Sequence, residues 1–273
     1  MATRYIPVGR IAAAVALGVA VWAVATGTHT PRWRSLGPGV EFALLRGEPY
    51  CRYGSADVAL LRIDPARVAL RVLHFTRQPD QKPLPLPEWQ RRANALAVFN
   101  AGQYYPDLSY MGLLVSDGEV ISARPHPSFH AALVAGGEDR PGAEVLDLDQ
   151  VPLGAARRRW REIAQSFMLF DANGKRRVRK TDQIANRTVV AQDRRGRIVI
   201  VTSEGGYTLW EFAELLQRAP LQLSQAMSMD GGREAGLCVV SGRFRYATFG
   251  RWKDGDSPEG AVPLPAVIAV LPR

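Results

Sequence analysis

The sequence predicts an α+β fold, with a largely antiparallel sheet and a few packing helices, in a single domain that follows an N-terminal hydrophobic segment. Short apolar or alternating runs recur along the chain, and most are joined by tight-turn signals such as Asp117-Gly118. Only two or three stretches have a helical period. Strands that follow one another through hairpins favour this class over a doubly wound parallel sheet, in which strands alternate with helices.

The composition is that of a globular protein. The chain has 273 residues, of which 47% are hydrophobic and 22% charged, enough for one large domain. The net charge of +9 is spread along the chain, with basic runs at "ARRRWRE" and "KRRVRK". A nucleic-acid surface would interleave such runs with stacking aromatic residues. We therefore expect no nucleic-acid partner and interpret the runs as a solvated basic face or a surface that attracts anions.

The N-terminus, residues 1–27, is predicted to be a signal peptide or an N-terminal membrane anchor. A short basic start precedes sixteen uncharged residues at positions 11–26. As a helix they would span roughly 24 Å, less than a bilayer core needs, and the tripeptide "AVA" near their end fits a cleavage site. We expect an exported protein, either periplasmic or anchored to the inner membrane through residues 11–26 and facing outward. Whether the segment is cleaved stays open.

The rest of the chain divides into two parts. Residues 28–55 are rich in Pro, Gly and Arg and are predicted to be a linker and entry segment, and residues 56–273 are predicted to form the domain. Predicted strands and hairpins within the domain are "ADVALLRI", "ARVALRVLHF", "ALAVFNAG", "YMGLLVSDGEVIS", "AALVAGG", "QSFMLFDANGK", "NRTVVAQDRRGRIVIVTSEGG", "AMSMD" and "GLCVVSGRFRYATF". Helices are predicted over 88–96, 155–163 and "TLWEFAELLQR". The last helix starts with a capping box, Thr208 and Glu211.

The cysteines and histidines have no metal-site spacing. Cys51 and Cys238 are the only cysteines, so the sequence allows either one long-range disulfide or two separate buried thiols. The "HPSFH" run contains Pro127 and follows Pro125, which deny it a helix and favour histidines in a loop over a metal pair.

Three polar residues share one local pattern, in which an apolar strand ends in a polar side chain and glycine follows closely. Asn100 follows "LAVF", Glu204 follows "IVIVTS", and Asp230 follows "AMSM". Glycine at such points lets a ligand approach the main chain. Each one alone is typical of a turn, but together they predict a site at one rim of the sheet.

Arg187 starts the strand "NRTVV", and its planar guanidinium suits a phosphate or a carboxylate if it faces the same rim. A surface position is the ordinary alternative for such a residue. P-loop, GxGxxG, HExxH and GxSxG motifs are all absent from the sequence. The sequence therefore does not predict a nucleotide-binding, zinc-protease or serine-hydrolase site of those classes.

The ordered series "VFNAGQYY", "IAQSFMLFDANGK", "NRTVVAQDRRGRIVIVTSEGGYTLWEFAELL" and "AMSMDGG" resembles the phosphodiester glycosidase domain family over about residues 56–271. The best-known member of that family removes N-acetylglucosamine from a sugar phosphodiester. Single motifs are weak, whereas their order and spacing together are specific. Carried over by position, the resemblance points to Asn100, Gln165, Arg187, Thr188, Glu204, Asp230, Gly231 and Gly232.

The resemblance implies roles for these residues. Arg187 is the expected phosphate clamp, Asp230 the nucleophile or general base, and Glu204 the second carboxylate. The expected substrate-binding residues are Asn100, Gln165, Thr188, Gly231 and Gly232. No metal ligands or cofactor can be assigned, although a divalent cation between carboxylate and phosphate is compatible with this set.

The chain departs from the family pattern around the expected pocket. Ala101 and Ala191 stand where glycine is usual, and Glu204 stands where aspartate is frequent. The last motif continues with Arg233-Glu234 instead of small residues. These departures leave the fold prediction intact and bear on the substrate and the activity.

The expected function is that of an exported glycosidase-type hydrolase that cleaves a sugar-1-phosphodiester bond in an envelope or extracellular glycan. The alternative is a non-catalytic module that binds an envelope glycan or sugar phosphate, which the changes at Glu204 and Arg233-Glu234 would suit. A third interpretation is a structural envelope protein whose polar strand ends are plain turns. The recurrence of the strand–polar–glycine pattern argues against that last one.

Overall fold

A computed structural model describes residues 30–137, 142–251 and 261–273, so the predicted signal or anchor segment lies outside the described residues. The described chain is mostly antiparallel strand with three α-helices, which confirms the predicted α+β class. The strands are β1 (Arg34–Gly37), β2 (Val40–Arg46), β3 (Asp57–Ile63), β4 (Val68–His74), β5 (Ala97–Asn100), β6 (Gly112–Ser116), β7 (Glu119–Arg124), β8 (Ala131–Gly137), β9 (Ala143–Asp147), β10 (Trp160–Phe170), β11 (Ile184–Ala185), β12 (Thr188–Asp193), β13 (Ile198–Ser203), β14 (Tyr207–Thr208), β15 (Leu223–Ser228), β16 (Gly236–Ser241), β17 (Phe244–Phe249) and β18 (Ala266–Pro272). The helices are α1 (Leu86–Ala93), α2 (Leu153–Arg159) and α3 (Leu209–Arg218).

Two sheets carry the architecture. The larger follows the order β1-β2-β3-β13-β12-β15-β10-β6-β7, and β8 and β9 extend it from β10. The second follows the order β17-β16-β5-β18-β4, and β11 pairs with β14 in a short ribbon. Hairpin neighbours such as β12 and β13 pair directly, from Thr188 opposite Thr202 to Gln192 opposite Ile198.

The main core lies between the two sheets. Leu61 and Ile200 project from the larger sheet, and Phe99 and Ile268 project from the second, into one buried cluster. Alternation along each strand sends every second side chain into this layer. The two sheets are therefore held together by apolar burial, the dominant favourable term in folding.

The helices cover the outer faces of the sheets. On the larger sheet, α3 buries Phe212 and Leu216 against strand residues. The Thr208 hydroxyl accepts a hydrogen bond from the Glu211 backbone N–H at 3.1 Å, which confirms the predicted cap. On the second sheet, α1 buries Trp89, whose indole N–H donates to the Leu264 carbonyl at 3.0 Å.

The linker prediction for residues 28–55 is wrong over its central part. Strands β1 and β2 lie within this range, and β2 pairs along its whole length with β3. Phe42 and Leu45 are buried on opposite faces of β2. Pro38 and Gly39, which suggested a linker, instead form the tight connection between β1 and β2.

Helix boundaries also shift. The helix predicted over 155–163 ends at Arg159, because Trp160 already has extended backbone and opens the long strand β10. The helix predicted over 88–96 runs instead from Leu86 to Ala93, and Asn94 closes it in the left-handed conformation. Terminal residues of an element are where sequence patterns carry the least information.

Other local predictions are settled. Asp117 and Gly118 both have positive φ, 50° and 81°, as the predicted turn between β6 and β7 requires. Cys51 and Cys238 are unpaired, which confirms two separate thiols, although only Cys238 is buried and Cys51 is partly exposed. Within the part of the chain that the structure describes, no helix is both long and apolar enough to cross a bilayer.

Candidate active site

Asn186 joins two of the predicted strand ends, those at Glu204 and Asp230. Its side-chain amide donates to the carbonyls of Glu204, at 3.0 Å, and Gly205, at 3.3 Å. Its own carbonyl accepts from the Gly232 N–H at 2.9 Å. The residue is fully buried. These contacts bring the start of β12, the end of β13 and the loop after β15 together at one rim.

Asn100 attaches the second sheet to the same rim. It ends β5, and its amide nitrogen donates to the Asp230 carbonyl at 2.9 Å. Its side-chain oxygen accepts from the Gly236 N–H at 3.0 Å. The Asp230 N–H in turn donates to the Ala101 carbonyl at 3.1 Å. Asn100 therefore fixes the backbone of the Asp230 loop, and the site lies where the two sheets meet.

Arg187 is a buried cation without a carboxylate partner among the described residues. Its Nε donates to the Tyr207 carbonyl at 3.0 Å and its Nη2 to the Gln183 carbonyl at 2.7 Å. Burial lowers its pKa to about 10, so it remains charged at neutral pH. Buried charges are ordinarily paired with an opposite charge. The arrangement therefore suits an anionic ligand.

The guanidinium is also placed beside the Asp230 loop. A Cβ built on Gly231 would lie 3.4 Å from the Arg187 Nη1 and 2.8 Å from the Asn186 carbonyl oxygen. Gly231 therefore has no room for a side chain, and Gly232 has a φ of +71° that favours glycine. The two glycines let the main chain pass close to the arginine.

Asp230 is a half-buried carboxylic acid with a perturbed pKa. Its Oδ1 accepts from the Gly231 N–H at 2.9 Å. Its pKa is raised to about 7, mainly by burial and to a smaller extent by the negative charge of Glu234. A carboxyl group that titrates near neutral pH is suited to proton transfer.

The second carboxylate beside Asp230 differs from the expected one. Glu204 contributes its backbone to the rim, but its Oε1 accepts from the Tyr246 hydroxyl at 2.5 Å. The acid whose charge acts on Asp230 is Glu234, in the short 3-10 turn after Gly231. Glu234 was not among the predicted site residues. The only sequence signal for it was the departure at Arg233-Glu234.

Two tyrosines also lie at this rim and were not predicted. The pKa of Tyr104 is raised to about 12 by burial and by the charges of Glu234 and Asp230. Burial likewise raises the pKa of Tyr53, while the nearby charge of Arg187 lowers it. Both side chains are half-buried. They give the rim aromatic hydroxyl groups that can bond to a sugar or a phosphate.

Two predicted contact residues lie too deep to meet a ligand directly. The Gln165 Oε1 accepts from the N–H groups of Leu113, at 2.8 Å, and His126, at 3.2 Å. Its Nε2 donates to the Phe129 carbonyl at 2.8 Å and the His126 carbonyl at 3.2 Å. The amide has no bonding capacity left, which corrects the predicted substrate contact to a positioning role for the loop at His126.

Thr188 is fully buried within the sheet, at the start of β12. Its hydroxyl has no hydrogen-bond partner among the described residues. Its backbone carbonyl accepts from the Met229 N–H at 2.9 Å and so holds the strand that leads to Asp230. Thr188 therefore shapes the rim through its main chain.

No cluster of three or more His, Cys, Asp or Glu side chains arranged to hold a metal ion occurs among the described residues. In the "HPSFH" run, the His126 ring packs on Phe129 with ring centroids 4.2 Å apart. His130 pairs with Asp149 at 2.8 Å, on the exposed surface. Both histidines thus have local structural contacts.

Replacing Glu234 with glutamine should lower the pH at which Asp230 titrates, because a like charge is removed from its surroundings. The shift should be partial, since burial is the larger cause. Asp230 can be followed by the carboxyl chemical shift in NMR titrations. The matched control is Glu119→Gln, because Glu119 lies on the exposed strand β7 and pairs with Arg77. It should leave the Asp230 titration unchanged. An unaltered Asp230 titration in Glu234→Gln would contradict this assignment.

The chain also matches a known protein family. The family model described as phosphodiester glycosidase matches residues 93–271, which include every rim residue except Tyr53. None of the curated proteins matches the chain by sequence.

Solved structures share the fold at low identity. One is the zebrafish N-acetylglucosamine-1-phosphodiester α-N-acetylglucosaminidase catalytic domain, auto-inhibited by its pro-peptide, with a TM-score of 0.62 and 16% identity over 90% of this chain and 89% of that one. A hypothetical protein from Synechocystis has a TM-score of 0.59 and 16% identity over 89% of this chain and 64% of that one. A Burkholderia pseudomallei protein, assigned as exported, has a TM-score of 0.52 and 13% identity over 79% and 74%.

Proposed function

Because the chain belongs to the phosphodiester glycosidase family, we propose that it is an exported glycosidase-type hydrolase that cleaves a sugar-1-phosphodiester bond in an envelope or extracellular glycan. The observation that carries the proposal is that a buried arginine and an acid with a raised pKa lie at the same rim. A buried, carboxylate-free arginine, Arg187, lies against Gly231, and the perturbed acid Asp230 is the residue before it. Cleavage of a bond between an anomeric carbon and a phosphate requires these two groups, a cation for the phosphate and a carboxylate for the anomeric carbon.

Arg187 binds the phosphate in this proposal. Cleavage passes through an oxocarbenium-like state, and negative charge builds up on the departing phosphate oxygen. A fixed guanidinium next to that oxygen stabilises the charge as it develops, and its burial makes the interaction stronger than it is in water. The phosphate also supplies the counter-charge that the buried arginine lacks in the free protein.

Asp230 acts at the anomeric carbon, as nucleophile or as the base that activates water. In the net reaction, the water oxygen bonds to the anomeric carbon and the carbon–oxygen bond to phosphate breaks. One proton of the water stays on the sugar hydroxyl, and the other passes to the phosphomonoester that leaves. Either role needs the ionised carboxylate, so kcat/KM should rise with pH as Asp230 loses its proton near pH 7. In this proposal Tyr104 and Glu234, whose charge acts on Tyr104, orient the sugar.

The substrate is proposed to be an envelope or extracellular glycan because of the N-terminal sequence. The basic start and the sixteen uncharged residues at positions 11–26 support export, to the periplasm or to an outward-facing position on the inner membrane. The assignment of the Burkholderia relative as exported is consistent with that location. A divalent cation that bridges phosphate and carboxylate would be compatible with this chemistry.

The proposal is tested by sugar release from a panel of sugar-1-phosphodiesters, with and without chelator. Wild-type protein should release free sugar, and Arg187→Ala and Asp230→Asn should each abolish release while remaining folded. Loss of activity on adding chelator would assign a metal to the site. A folded protein that binds a glycan or sugar phosphate without releasing sugar from any member of the panel would overturn the proposal in favour of a binding module.

A further inference from the structure

We propose that one edge of the protein docks on an anionic phospholipid surface. This edge, here called the arginine edge, consists of the exposed residues Arg32, Arg34, Arg243 and Arg245 together with Leu44. It belongs to strands β1, β2 and β17 and the segments next to them. The inference concerns where the protein is held, so it does not depend on the proposed reaction.

The outer strands of the two sheets meet at this edge. β1 ends the larger sheet and β17 ends the second one. The Arg34 guanidinium lies 5.0 Å above the Phe244 ring, and that ring lies 5.0 Å from the ring of Phe42. The Ser241 hydroxyl donates to the Leu36 carbonyl. Side chains from both sheets therefore form one continuous surface.

The arginines of this edge are uncompensated. Arg32, Arg34 and Arg243 form no ion pair with any described carboxylate. Nearby arginines behave differently, since Arg62 pairs with Glu41 at 2.7 Å and Arg46 pairs with Asp57 at 2.7 Å. The positive charge of these arginines is therefore available to attract an anionic surface.

An apolar surface accompanies the charge. A cavity of about 870 Å³ lies at the edge, and its lining includes the apolar residues Phe42, Leu44 and Phe244 together with Arg32 and Arg34. Leu44 is 44% exposed, one of few large hydrophobic residues that are so open among the described residues. Basic side chains around exposed apolar ones are the composition that binds the headgroup region of anionic membranes.

The position of the edge in the chain favours a lipid bilayer as the occupant. The uncharged residues 11–26 end only six positions before Arg32. Six residues reach at most roughly 20 Å, even fully extended. A bilayer that receives this apolar segment would therefore lie within reach of the arginine edge. Charge complementarity selects an anionic bilayer over a neutral one.

The candidate active site lies close to the same edge. Tyr246, whose hydroxyl donates to Glu204, is two residues beyond Phe244 along β17. The Tyr246 ring packs on Phe42 with ring centroids 4.8 Å apart. Docking through the arginine edge would hold the rim near the membrane surface.

The test measures binding of the full chain to vesicles of equal parts phosphatidylglycerol and phosphatidylcholine and to vesicles of phosphatidylcholine alone. The ratio of the two affinities isolates the charge effect, because an inserted apolar segment contributes to both. Near an anionic surface each basic residue contributes roughly a fivefold affinity gain. The triple variant Arg32→Gln, Arg34→Gln, Arg243→Gln should therefore lower the ratio by roughly a hundredfold.

The matched control removes three arginines from α2, Arg157→Gln, Arg158→Gln and Arg159→Gln, which are also exposed. It should change the ratio by less than about threefold, and added salt should weaken wild-type binding. Lysine at the three edge positions should retain the wild-type ratio. Equal losses in the two glutamine triples, or a folded lysine triple that no longer distinguishes the vesicles, would overturn the proposal. Binding to a polyanionic glycan but to neither vesicle would do so as well.

Discussion

Arg187→Lys is expected to lower kcat/KM for a sugar-1-phosphodiester by about a thousandfold. Lysine keeps the charge but not the planar group that donates to Tyr207 and Gln183 while turning Nη1 toward Gly231. The loss should appear in kcat as well as in KM, because the charge on the phosphate grows toward the transition state. Steady-state kinetics on the purified protein measure both.

The control for Arg187 is Arg176→Lys. Arg176 is partly buried, but unlike Arg187 it has a carboxylate partner, because it pairs with Glu214 at 3.3 Å and bonds to Gln217 at 2.8 Å, both on α3. Its replacement should leave kcat/KM within about twofold. Inorganic phosphate should raise the thermal unfolding midpoint of the wild type and not that of Arg187→Lys. A lysine variant with near wild-type turnover would rule out the clamp.

Asp230→Asn is expected to reduce turnover by at least about a thousandfold and, at the same time, to stabilise the protein above pH 7. The pKa of Asp230 is raised from 3.8 to about 7, so the folded state holds a proton that the unfolded state has lost. Stability from this group is therefore greatest below about pH 4 and falls as the pH rises to about 7. Asparagine is neutral throughout and avoids that loss.

The size of this gain is on the order of 2 kcal/mol, since each pKa unit corresponds to about 1.4 kcal/mol and the carboxyl group is partly solvated. Denaturant unfolding at acid and at mildly alkaline pH measures it. Asp171→Asn is the opposite control, because Asp171 accepts N–H bonds from Asn173 and Lys175 and should lose stability when changed. Equal stability of Asp230→Asn and wild type above pH 7 would contradict the raised pKa of the Asp230 carboxyl group.

The fold was largely accessible from sequence because its strands alternate and its turns carry specific residues. Asp117 and Gly118 both adopt positive φ, which few other pairs tolerate, so that hairpin was predictable. Strand β1 was not predictable, since its residues are mostly exposed and its pairing depends on β2 across a Pro-Gly turn. The contact between Arg34 and Phe244 could not be predicted either, because the two residues lie far apart in the sequence.

The backbone positions of the candidate site could be predicted from the sequence, but the directions of several side chains could not. The strand–polar–glycine pattern identified Asn100 and Asp230, which the structure joins by a hydrogen bond. The direction of the Glu204 carboxylate depends on Tyr246, a contact across 42 residues that no local pattern encodes. Glu234 reaches Asp230 only because the 3-10 turn Gly232–Glu234 folds the chain back. Side-chain contacts between residues far apart in the sequence could therefore not be predicted.

The central claim is that the bond between the anomeric carbon and the phosphate oxygen is cleaved, and hydrolysis in ¹⁸O-labelled water tests it most directly. Attack at the anomeric carbon, as proposed for Asp230 with Arg187 on the phosphate, puts the heavy oxygen in the released sugar, before exchange at the anomeric position is allowed to proceed. Mass spectrometry of the quenched products measures it. Label in the phosphate, with none in the sugar, would mean that phosphorus is attacked and would contradict the account.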